Sequence, residues 1–149
     1  MPTLTELLTK PEKRQRVIDD CALLIDEEVA RKGGLSGFAI KAAFATVKAV
    51  KPGFIREAID HMLDDFARRL EPFYESHQKE PTRPLPDHFV SHSAAVADAL
   101  LGITDERSQR AKNPTVKKAY EKLRPSAKKH VEEAVPGIGR LVAKHSALG

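Results

Sequence analysis

Phe38-Ala39-Ile40-Lys41-Ala42-Ala43-Phe44-Ala45-Thr46-Val47-Lys48-Ala49-Val50 is the stretch on which the reading of the fold turns. Its charged positions, Lys41 and Lys48, lie seven residues apart and share one narrow stripe of a helix. A helix that is apolar nearly all round belongs inside a protein, so residues 37–51 are expected to form the central, enclosed helix of the fold. Membrane contact by the same stretch is disfavoured, because an interfacial helix carries a strong polar face.

Working outward, Gly33-Gly34 closes a preceding helix, and Ser36 is placed to cap the apolar one. In that preceding helix, residues 11–32, Val17, Cys21, Ile25 and Val29 recur every four positions while Asp19, Asp20, Asp26 and Glu27 turn to water. Thr3 with Glu6, and Thr9 with Glu12, have capping-box spacing, and Pro11 is tolerated in a first turn. Beyond the apolar stretch, Lys51-Pro52-Gly53 restarts the chain. Phe54, Ile55, Ile59, Leu63, Phe66, Ala67 and Leu70 give the next helix its core face, which is expected to end before Pro72.

Residues 78–87 hold three prolines and read as an extended linker between an N-terminal and a C-terminal helical half. Past it, Asp87 is placed to cap a helix reaching Leu101, and Thr104 a short polar one to about Lys112. Asn113-Pro114 opens another, and Pro125 and Pro136 start or kink two more that end near Leu148. No stretch alternates β-branched and polar residues as a strand would. The expectation is an all-α single domain over residues 1–149, a bundle of seven to nine short helices around residues 37–51. Two echoes, Pro52-Gly53-Phe54-Ile55-Arg56 and Pro136-Gly137-Ile138-Gly139-Arg140, read as helix starts in which glycine allows close approach.

A chain of 149 residues with 41% hydrophobic and 31% charged residues has the composition of a folded domain, not of a disordered segment. The N-terminus shows no signal-like pattern, no stretch is long enough to span a membrane, and the lone Cys21 suits a reducing, cytoplasmic setting. Charge is uneven: eleven Lys and Arg face five Asp and Glu in residues 104–149, a net of +6, leaving −2 for the first 103 residues.

The stretches Asp19-Asp20-Cys21-Ala22-Leu23-Leu24-Ile25-Asp26-Glu27-Glu28-Val29, Gly34-Leu35-Ser36-Gly37, Lys51-Pro52-Gly53, Leu70-Glu71-Pro72 and Leu100-Leu101-Gly102-Ile103-Thr104-Asp105 carry a resemblance over nearly the whole chain. In them the sequence resembles a small bacterial family of proteins near this length. The resemblance implies a helical fold and brings no activity, substrate or catalytic residue with it.

Candidate chemistry is sparse. His88 and His92, four apart on an expected helix, could face one metal ion with help from His77 or Asp87. Yet Phe89 stands where a zinc-protease helix needs Glu, and no Glu-x-x-His motif serves a di-iron bundle. Glu57, Asp60, His61, Asp64 and Asp65 cluster on one helix, opposite its apolar face, and read as solvated. Gly34-Leu35-Ser36-Gly37 follows a helix and is neither a nucleophile elbow nor a phosphate-binding loop after a strand. A helix N-terminus there could still hold an anion, helped by Lys32 and Lys41.

Lys117, Lys118, Lys122, Arg124, Lys128 and Lys129 form a basic stripe opposite Val116, Tyr120, Leu123, Ala127 and Val131, a candidate polyanion surface. With no tryptophan and phenylalanines at core spacing, stacking platforms for single strands are missing. No cofactor is called for. The reading that remains is a non-enzymatic binding or scaffolding module that meets a protein partner or itself, with a polyanion surface or a His88/His92 metal enzyme as alternatives.

Overall fold

The computed structural model describes residues 2–147, which form seven helices and no strand. They are α1 (Leu4–Thr9), α2 (Pro11–Arg31), α3 (Gly34–Val50), α4 (Phe54–Lys79), α5 (Leu85–Ser91), α6 (Ser93–Gln109) and α7 (Pro114–Ala147). The fold class is all-α, as expected from the periodicity. The expected end near Leu148 lies outside the described residues.

Not all of the helices are short. α4 runs 26 residues through Pro72, and α7 runs 34 residues through Pro125 and Pro136. Each proline leaves the carbonyl four residues earlier without its helical donor. The α4 helix continues because Leu70, Phe73 and Tyr74, on both sides of Pro72, pack into the same core. Around Pro136, Val135 and Val142 do the same for α7.

Local capping is legible in part. Thr3 Oγ1 accepts from the Glu6 amide at 3.1 Å, and Asn113 Oδ1 accepts from the Thr115 amide at 2.9 Å, so both helices start where the sequence places them. Thr9 does not cap α2: its hydroxyl donates back to the Thr5 carbonyl at 2.6 Å, and Lys10 holds the cap position. Ser36 does not cap α3 either, since the helix opens at Gly34 with Gly33 as its cap residue. Asp87 lies in the first turn of α5, and α6 runs through Thr104 without a break. Glu71, from the middle of α4, caps α1 by accepting from the amides of Leu4 at 2.9 Å and Thr5 at 3.3 Å.

The long helices α4 and α7 are the two spines, each packed against α1, α2, α3, α5 and α6. The main core draws Leu4 and Leu8 of α1, Ala67 and Leu70 of α4, Leu85 and Phe89 of α5, Val96 of α6, and Val135 and Val142 of α7. Residues from both sides of the 78–87 segment therefore share one core. A second cluster joins Val17, Ile18 and Ala22 of α2 to Ile59 and Leu63 of α4. The two echoed motifs differ: Gly53 (φ +80°) does precede a helix start, whereas Gly137 and Gly139 lie inside α7. A Cβ on Gly139 would come within 2.7 Å of the Pro86 Cα, so glycine there lets α5 cross α7 at close range.

The central helix of the expectation is not central. In α3 only Gly37 and Val47 are buried, Leu35 is 92% exposed and Phe38 74% exposed. The body of the fold takes one face of α3 and leaves the other in the open. The centre belongs to α4, α5 and α7, whose residues are individually less apolar but meet neighbours on several sides.

Candidate functional site

At about 100° per residue, Gly37, Ile40, Phe44 and Val47 share the face of α3 that meets the fold. The opposite arc, about 120° wide, carries Leu35, Phe38, Ala39, Ala42, Ala45, Thr46 and Ala49, all exposed. It has no charge. Thr46, its one polar residue, donates its hydroxyl to the Ala42 carbonyl at 2.9 Å. Lys41 and Lys48 stand on one flank of this arc, and Lys48 pairs with Asp26 of α2 at 3.0 Å. α3 holds no acidic residue. Exposed apolar surface of this continuity is uncommon on a monomer.

The large side chains of the arc sit at one end, Leu35 and Phe38, and small ones follow at Ala42, Ala45 and Ala49. The spacing 35, 38, 42, 45, 49 alternates three and four, the spacing that coiled-coil seams use.

The candidate polyanion stripe is only partly available. Arg124 is half-buried and grips Asp105 with two bonds, at 2.8 and 3.1 Å, which holds that carboxyl below the usual carboxylate range. Tyr120 donates to the same carboxylate, and burial, then Asp105, pushes its hydroxyl up to about 12. Lys128 pairs with Asp98 at 3.2 Å. Lys117, Lys118, Lys122 and Lys129 are exposed and make no ion pair among the described residues. Lys129 is set apart from the other three, beside the start of α3.

Three of the histidines are brought together. His88 lies in α5 and His92 caps its end, with ring centroids 4.9 Å apart, and His77 from α4 lies 5.5 Å from His88. His77 Nε2 donates to the Arg83 carbonyl at 2.7 Å. Burial, then His92 and His77, lowers the pKa of His88. Among the described residues no three His, Cys, Asp or Glu side chains are arranged to hold a metal ion. Asp60 and Asp64 do not form an acid–base pair: both accept from Arg14, at 2.9 and 2.8 Å, which ties α2 to α4. Burial pushes the Cys21 thiol up to about 12, so it stays protonated and unreactive.

A family model described as a family of unknown function (DUF6918) matches residues 4–146. The chain belongs to that family. Its description assigns no activity. No curated protein and no solved structure matches the chain. Among the described residues, no helix is long and apolar enough to cross a membrane.

Sequence reasoning named the α3 segment but gave it the wrong surroundings. It missed His130, which is buried and lies far along the chain from the α3 start it approaches.

Proposed function

We propose that this protein is a binding module of the cytoplasm that pairs with a second copy of itself through the outward face of α3. The observation that carries the reading is the taper of that face. Under a twofold axis near Ala42, the middle of α3, an antiparallel copy sets Leu35 and Phe38 of one chain over Ala45 and Ala49 of the other, so large side chains meet small ones twice. Alanine at the seam lets the two backbones approach closely. A lipid surface would make no use of such a taper.

A strip about 21 Å long on one helix, at ~1.5 Å per residue, falls short of the ~800 Å² per partner of a standard interface. The pair is therefore weak and depends on concentration. Lys41 of each copy lies near the axis, and the two repel. Screening weakens that repulsion, so added salt tightens the pair. Binding of an anionic vesicle, or of a polyanion to Lys117, Lys118 and Lys122, responds to salt with the opposite sign.

Sedimentation velocity over a concentration series tests the reading. The wild type is expected to pass from monomer to dimer, more readily at high salt, and Phe38→Asp to stay monomeric with an unchanged melting temperature. A wild type that stays monomeric at its highest soluble concentration, or a Phe38→Asp variant that still dimerises, overturns it. Vesicle or heparin binding lost with rising salt, without dimerisation, assigns the exposed surfaces to those partners instead.

A further inference from the structure

Where α3 starts, it forms one wall of an open recess of about 330 Å³, whose opposite wall is the middle of α7. The recess is lined chiefly by polar groups: Arg31 and Lys32 from the end of α2, Ser36 from the first turn of α3, and Lys129, His130 and Glu133 from α7. The first amides of a helix have no carbonyl partners within it, and α3 opens without a side-chain cap. Those amides and the positive end of the helix are left for something else to satisfy.

His130 is the second observation. Its side chain is 7% exposed, it lines the recess, and both of its ring nitrogens are buried with no hydrogen-bond partner among the described residues. Buried polar atoms of this kind destabilise the fold unless something completes them. Glu133 does not complete the ring: its Oε1 stands 3.5 Å from Nδ1 and instead accepts from Lys32 Nζ at 2.8 Å.

The charges sort the ligand. Lys32 is buried and divided between Glu133 and Glu28, and Arg31 holds Glu28 at 2.5 Å, so the acidic groups at the recess are already matched by cations. Lys129 has no such partner among the described residues. What remains unmatched is a lysine, an imidazole and a helix N-terminus, all favouring an oxygen-rich anion.

We propose that this recess binds a phosphate group. At about 330 Å³ it exceeds bare phosphate and leaves room for the group that carries it. The site is prearranged: a Cβ on Gly37 would fall within 2.6 Å of the Lys32 carbonyl carbon, so the start of α3 is pressed against the end of α2. From sequence, Lys32 and Lys41 are the cations expected at this helix start. Lys41 is not among the recess residues, and Lys129 and His130 take its place.

The test is NMR titration of the full chain with inorganic phosphate and, separately, with phenyl phosphate, at constant ionic strength. Saturable shifts are expected at the His130 ring and at the amides of residues 34–36, with the monoester binding more tightly. Ser36→Asp is expected to weaken binding at least tenfold without loss of helicity, because a carboxylate in the first turn suits the helix and repels the ligand. Lys129→Ala is expected to weaken it several-fold. Shifts that chloride reproduces, or phosphate binding undiminished in both variants, would overturn the proposal.

Discussion

The α3 helix and the second half of α7 invert each other. α3 is the most apolar helix of the chain and leaves most of its surface in water, whereas α7 between Val135 and Val142 contains a proline and two glycines and is the best-buried part of its helix. Burial here follows access. Glycine removes side chains where helices cross, so α5 and α2 come close enough to α7 to cover it. Hydrophobic content sets how much a helix gains from cover, and neighbours decide which helix receives it.

The sharpest way to break this comparison is to make one substitution in both regions. Phe89→Ala, in the core that α5 shares with α7, is expected to cost about 3–5 kcal/mol in chemical denaturation. Phe38→Ala on α3 should stay within about 0.5 kcal/mol, since that ring is already in solvent. Equal losses would show that α3 is covered in the monomer after all.

A smaller effect sharpens the role of the glycines. Gly139→Ala drives a methyl group against the Pro86 backbone and should destabilise by about 1–3 kcal/mol. Gly137→Ala meets only the end of the Leu24 side chain, which can turn away, and should cost clearly less. A reversed order in urea melts would deny that α5 sets the crossing.

The smallest effect concerns charge. α7 is tied down by Asp20, which accepts from Lys144 and from His145, and by Asp105, which accepts from Arg124. Lys144 foremost, then His145, lowers the pKa of Asp20, and Arg124 lowers that of Asp105. A carboxyl lowered on folding adds stability that is complete above its unfolded value, about 3.9, and is lost as pH falls through the folded value. Stability should thus fall off below about pH 4, and Asp20→Asn should flatten that slope in pH-dependent urea melts. An unaltered slope would mean that other carboxylates govern the acid limb.

Much of the site was legible in residues close in sequence. The apolar stretch, its two lysines and the helix start at Gly34-Leu35-Ser36-Gly37 stood out at once. The side of α3 that faces the fold did not, because a helix apolar all round offers no polar face from which to read its orientation. His130 carries no local signal, since nothing near it in sequence announces that α7 folds back onto the start of α3. The prolines misled in the same way: a local rule ends helices at Pro72 and Pro136, but packing on both sides carries them through.

By itself the sequence determined the helical class, the amphipathic faces of α2 and α4, and the helix starts at Thr3 and Asn113, because each depends on side chains within a few positions of one another. Only the tertiary structure decided which apolar helix is enclosed, which basic residues are already paired, and that Lys129 and His130 meet the start of α3. Those outcomes depend on contacts between residues far apart in the chain, where competition among many possible neighbours outweighs the preference of any one segment.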